Sequence, residues 1–141
     1  MIKSPRIWLI TGVSGGLGRA LAVEAAANGD IVYGTLRKPA QIQPFNDLFP
    51  GLTFGLELDV NNSDQMHQVI QHILSKHNRV DILVNNAGYG LFGAIEEISM
   101  EEARMQMETN FFAVLALTQA VLPIMRKQQS GHIVQISSMS G

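Results

Sequence analysis

The chain has 141 residues, of which 46% are apolar, so one domain with a real core is expected. Its net charge of −2 gives no overall electrostatic pull toward nucleic acid or an anionic membrane. There is no cysteine, which excludes disulfides, thiolate catalysis and zinc–thiolate sites.

Ser4, Pro5 and Arg6 are followed by only four apolar residues, Ile7 to Ile10, short of the roughly 7–15 of a secretory signal core. No apolar run approaches the ~20 residues of a membrane span. A soluble cytoplasmic protein with neither membrane nor nucleic-acid partner is therefore expected.

Ile7-Trp8-Leu9-Ile10 is nearly all apolar and ends in glycines, which predicts a strand buried on both faces. Leu17 to Ala27 predicts a helix stopped by Asn28-Gly29. Ile31 to Thr35 is the second strand. Pro39, Pro44, Pro50 and Gly51 make Lys38 to Gly51 a connector with at most one helical turn. Leu52 to Leu58 is the third strand. Asn61-Asn62-Ser63-Asp64 supplies capping chemistry for a helix whose apolar face is Met66, Val69, Ile70, Ile73 and Leu74. Asp81 to Val84 is the fourth strand. Met100 to about Lys127 is a long helix that Pro123 is expected to bend or end. His132 to Ser137 is the fifth strand. Five strands alternating with helices imply an α/β, Rossmann-like, doubly wound parallel sheet.

Between the first strand and first helix lies Thr11-Gly12-Val13-Ser14-Gly15-Gly16-Leu17-Gly18. A buried strand turning into a helix through glycines exposes backbone N–H groups, and the helix dipole favours an anion there. By spacing alone the loop is either a plain glycine-rich turn or a pyrophosphate cradle. The pattern is T-G-x-x-x-G-x-G rather than G-x-G-x-x-G. Three more segments fall in order at the carboxyl ends of later strands: Leu58-Asp59-Val60, Asn85-Asn86-Ala87-Gly88, and Gly131 through Ser138. Together the four segments resemble the short-chain dehydrogenase/reductase family over Ile7 to Gly141.

That resemblance implies hydride transfer between a nicotinamide cofactor and a carbonyl or alcohol substrate. It places Gly12, Gly16 and Gly18 as phosphate-loop glycines, with Ser14 and Leu17 contacting the cofactor. Asp59 would bond the adenine amino group, although a helix cap is its rival role, and Val60 would lie beside the ring. Asn86, Ala87 and Gly88 would run under the ribose and nicotinamide, while Asn85 ties neighbouring strands. Arg37 follows the second strand where an NAD enzyme places an acid, so NADP is expected ahead of NAD. Ser138, rather than Ser137, would bond the substrate oxygen. Asn110 would hold a proton-relay water; an asparagine inside a helix is otherwise disfavoured.

The resemblance also implies a Tyr-x-x-x-Lys pair, the tyrosine as acid/base and the lysine lowering its pKa. Neither Tyr33 nor Tyr89 has a lysine four residues on. The 141 residues are therefore expected to be a Rossmann-like domain incomplete at its C-terminus, inactive alone, with its fifth strand an open edge. The complete protein is expected to be a homo-oligomer, packing through its long apolar helix. A non-catalytic dinucleotide-binding module is the first alternative, but has no need of Asn110 and Ser138. An epimerase or dehydratase on the same fold is the second, but would space its loop T-G-x-x-G-x-x-G. His67, His72 and His77 step about 140° apart around a helix, so no shared metal is expected on what reads as a solvated helix. The methionines read as packing. Glu96-Glu97 and Glu101-Glu102 read as structural acids around a capping Ser99.

Overall fold

The computed structural model describes residues 4–139. Met1 to Lys3, at the head of the segment weighed as a signal sequence, and Ser140 and Gly141, at the end of the family-like region, lie outside the described residues. Five parallel strands, β1 (Ile7–Ile10), β2 (Ile31–Leu36), β3 (Thr53–Glu57), β4 (Ile82–Asn85) and β5 (His132–Gln135), form one sheet in the order β3-β2-β1-β4-β5. Leu9 of β1 stands beside Tyr33 on one side and Leu83 on the other.

The alternation of side chains along a strand sends successive residues to opposite faces. Ile7, Leu9, Tyr33 and Leu83 pack into one core layer under helices α3 (Ser63–His77) and α5 (Ala113–Gln128). Ile10, Val32, Ile82 and Val84 pack into the other, under α1 (Gly16–Ala27) and α2 (Ile42–Asn46). Both faces are covered, which explains why the strands read as apolar runs.

The connector after β2 holds more structure than its prolines suggested. A 3₁₀ turn, Pro39–Gln41, leads directly into α2. The anchor is Phe45, fully buried against Gly34 of β2, where an added Cβ would come within 2.6 Å of Phe45 Cζ. A glycine in a strand commonly marks such an approach, and here it admits an aromatic ring.

The long helix also departs from expectation. Pro123 lies inside α5, which continues to Gln128. The irregularity falls earlier: α4 (Met100–Met107) passes into a π-helical segment, Glu108–Phe112, before α5 begins. From Met100 to Gln128 the composite helix is long and apolar enough, by length and composition, to cross a membrane. Thr118 and Gln119 interrupt its contiguous apolar runs, which is why no single run approaches the length of a span. Its Ala113, Leu117, Val121 and Met125 are buried, and the last three belong to the core layer shared with α3.

At the amino ends of the strands, Asp30 accepts hydrogen bonds from Arg6 N, Arg6 Nε and Trp8 Nε1 at 2.9–3.0 Å. Burial raises its proton affinity, but these bonds and the Arg6 charge prevail and hold its pKa below the ordinary value. Across the sheet, Asp81 accepts from Ile7 N at 2.8 Å and pairs with Arg79. These anchors lie at the opposite end from the strand exits that carry the family-like segments.

Candidate active site

The strand order reverses at β1, with β2 on one side and β4 on the other. A crevice opens at the carboxyl ends beside such a reversal and is the usual ligand site of open parallel sheets. Two cavities occupy it. One, of about 830 Å³, is lined by Gly12, Ser14, Gly15, Arg37, Lys38, Asp59, Val60, Asn61 and Thr109, among others. The other, of about 560 Å³, is lined by Asn110, Ser137, Ser138, Leu91 and Phe92, among others. Asn86, Ala87, Gly88 and Tyr89 border both, so the two form one cleft with a shared wall.

The glycine loop is built by hydrogen bonds from either side. Gly12 has φ +71°, a conformation that favours glycine, and its N–H donates to Thr35 Oγ1 at 3.2 Å. Thr11 Oγ1 accepts from Asn86 N and Ala87 N at 3.0 and 2.9 Å. In return Asn86 Nδ2 donates to Thr11 O and Gly12 O at 3.0 and 2.9 Å. A Cβ on Gly18 would collide with that same Asn86 amide and with Gly12 O. Gly18 is therefore small so that the first helix can close on the loop.

The loop fits a pyrophosphate. No side chain caps α1, whose N-cap is Gly15, so its first N–H groups are not taken by one. A Cβ built on Gly15 or Gly16 would meet nothing within 4 Å, which leaves room over the helix start. Backbone donors, a helix dipole and open space are what a diphosphate requires.

Eight of the eleven cofactor candidates line the larger cavity: Gly12, Ser14, Arg37, Asp59, Val60, Asn86, Ala87 and Gly88. Gly16, Leu17 and Gly18 do not; Gly16 and Gly18 shape the loop, and Leu17 is largely exposed. The capping alternative for Asp59 falls to Asn62, whose Oδ1 accepts from Asp64 N and Gln65 N, both at 3.1 Å. Asp59 Oδ1 accepts instead from Asn61 N at 3.0 Å, and its carboxylate remains at the cavity wall. Asn86 is first a brace of the glycine loop. Asn85 ties β4 to β5 through its backbone, its O accepting from Ile136 N at 3.0 Å, while its side chain turns to α5: Nδ2 donates to Thr118 Oγ1 at 3.1 Å, and Gln135 of β5 reaches the same hydroxyl.

Both catalytic candidates line the smaller cavity. Asn110 lies in the π-helical segment, with Oδ1 accepting from Tyr89 N at 3.0 Å and Nδ2 donating to Tyr89 O at 2.7 Å. Each amide atom retains capacity for one further hydrogen bond. Ser138 and Ser137 follow β5 on the facing wall. Thr11, Thr35, Asn61 and Thr109 also build the cleft. The sequence offers Thr11 only as the head of the glycine motif and Asn61 only as capping chemistry, and it does not mark Thr35 or Thr109; the signal was a threonine at the end of each of the first two strands.

The histidines of α3 need a correction. His72 and His77 both reach Tyr33, with ring centroids 6.0 and 5.6 Å away, and His77 Nε2 hydrogen-bonds the Tyr33 hydroxyl at 2.8 Å. The helix is not merely solvated there, because β2 presents a buried phenol to it.

Comparison with known proteins gives a consistent picture. The family model for short chain dehydrogenase matches residues 6–141. A 3-ketodihydrosphingosine reductase from Bacteroides thetaiotaomicron is 45% identical over 137 residues, covering 97% of this chain and 48% of the reductase. The crystal structure of a short-chain dehydrogenase from Streptomyces avermitilis superposes with a TM-score of 0.91 at 40% identity, covering 98% of this chain and 51% of the other. A metagenomic short-chain oxidoreductase in complex with NADP superposes at 0.88 with 30% identity, covering 95% of this chain and 62% of the other. The chain thus spans about half the length of the curated relatives it matches.

Proposed function

The chain belongs to the short-chain dehydrogenase/reductase family, and on that premise we propose that its protein is an NADP(H)-dependent oxidoreductase acting on a carbonyl or alcohol. When bound, the nicotinamide supplies or accepts the hydride. Gly12, Ser14, Gly16, Leu17 and Gly18 form the diphosphate end. Asp59 and Val60 hold the adenine, and Asn86, Ala87 and Gly88 the ribose and nicotinamide. Ser138 orients the substrate oxygen, and Asn110 uses its remaining hydrogen-bonding capacity for a proton-relay water.

One observation carries the choice of NADP: Arg37 and Lys38 line the larger cavity directly after β2, and no acid occupies Thr35 to Lys38. A carboxylate there would repel a 2′-phosphate, whereas a guanidinium can hold it bidentately. A charged hydrogen bond is worth ~1.5–3 kcal/mol, so Arg37→Ala should weaken NADPH by roughly ten- to a hundred-fold and leave NADH nearly unchanged. Calorimetric titration of both cofactors checks this. Equal affinity of the unaltered protein for NADH and NADPH would overturn the choice.

Our reading extends to a lipophilic substrate: Tyr89, Leu91 and Phe92 are among the residues at the smaller cavity, and one relative is named 3-ketodihydrosphingosine reductase. Residues 1–141 contain no tyrosine with a lysine four positions on. A positioned acid/base contributes ~10²–10⁴-fold, so these residues alone should bind cofactor without useful turnover.

A further inference from the structure

The two cavities are joined by a path of hydrogen bonds and one covalent step as well as by their common wall. In the larger cavity, Asp59 Oδ1 accepts from Asn61 N at 3.0 Å. Asn61 Nδ2 donates to Thr109 Oγ1 at 2.9 Å, across 48 residues of sequence. Thr109 is bonded covalently to Asn110, whose amide grips both backbone polar groups of Tyr89 at 3.0 and 2.7 Å. Thr109 lines the larger cavity, Asn110 the smaller, and Tyr89 both.

Two features mark the link as more than packing. Thr109 and Asn110 lie in the π-helical segment Glu108–Phe112, a geometry that is rare and found often at functional sites. Asn61 Oδ1 is buried and accepts no hydrogen bond among the described residues. An unpaired buried acceptor is costly and persists where neighbouring contacts over-determine the side chain. The Asn61 amide thus gives a hydrogen to Thr109 while its carbonyl oxygen has no partner among the described residues.

We infer that Asn61 and Thr109 are positioning residues through which occupancy of the adenine end of the cleft sets the register of Asn110 and Tyr89 at the catalytic end. The inference rests on the dinucleotide reading above. A ligand that engages the Asp59 carboxylate alters the oxygen that holds Asn61 N–H, and the Asn61 side chain carries that change to Thr109. On this inference the π-helical segment, which carries both Thr109 and Asn110, is the element whose arrangement responds.

The test uses adenosine 2′,5′-bisphosphate, which fills the adenine end but has no nicotinamide to touch Tyr89. Hydrogen exchange at the Tyr89 amide, in the complete protein, is the readout. Saturating ligand should slow that exchange about tenfold. Thr109→Val, which keeps shape and removes the hydroxyl, should lose the added protection even at ligand concentrations that calorimetry on the variant shows to be saturating. Thr109→Ser should restore it, and Asn61→Ala should repeat the loss. Equal protection in Thr109→Val, or no change at Tyr89 in the saturated wild type, overturns the coupling. Failure of the bisphosphate to bind, seen by calorimetry, instead counts against the NADP reading, and ADP then replaces it as the probe. If ADP also fails to bind, both readings fall.

Discussion

Asn86 ties the glycine loop to the end of β4 with one amide. Both hydrogens of its Nδ2 are used, on Thr11 O and Gly12 O, and its own N–H goes to Thr11 Oγ1. Asn86→Ala should leave two carbonyls in a half-buried site without that donor, costing about 1 kcal/mol of stability per lost bond. Asn86→Asp should cost more, since a carboxylate brings only acceptors to two carbonyl oxygens. Urea unfolding checks the order, alanine less damaging than aspartate; a more stable aspartate variant would show that the bonds run otherwise. The residue was legible in the sequence, and its first task was not. A motif names which residue types recur, whereas the partner of an amide is set by a turn 75 positions away.

The helix α3 was read almost completely in advance. Met66, Val69, Ile70 and Ile73 are its buried face, and Asn62 caps it, because apolar spacing and capping chemistry are local in sequence. What sequence could not reach was the meeting of His77 with Tyr33, 44 residues apart. Burial, then the charges of His72 and Lys76, hold the His77 pKa below the ordinary 6.5. Folding therefore favours neutral His77. The stability this contributes is fully present above pH 6.5 and is lost as pH falls through the lower folded-state value. Unfolding midpoints measured from pH 8 to 5 should fall with acid, and His77→Gln should flatten that slope while keeping a hydrogen-bonding group near Tyr33. An unchanged slope in the variant would place the acid sensitivity elsewhere. The composite helix shows the converse case. Asn110 is a poor helix former, but the partner of its amide is the Tyr89 backbone, 21 residues away, which no local propensity encodes.

For the molecule as a whole, strand and helix alternation gave the parallel sheet, and the apolar strands gave its two covered faces. Among the described residues, two exposed surfaces bear on association. On the composite helix, Phe111, Phe112 and Leu115 are 52%, 50% and 45% exposed. At the sheet edge, β5 pairs with β4 alone among the described residues, and Val134 is 40% exposed. An apolar helix face associates by side-chain burial, whereas an open edge associates by backbone pairing, which is a template for indefinite growth. We propose that the helix face packs against a second copy in the complete protein. A polypeptide of residues 1–141 presents both surfaces, so its association should have two separable parts. Val134→Lys, a charge on the edge strand, should suppress growth to large species and leave a dimer. Phe112→Glu with Leu115→Glu should remove the dimer and leave the growth. Light scattering across a concentration series distinguishes the two. If Val134→Lys abolishes all association, the helix face has no affinity for itself and the proposed dimer falls. If neither variant changes the mass distribution, the chain associates through a surface that neither β5 nor the composite helix provides.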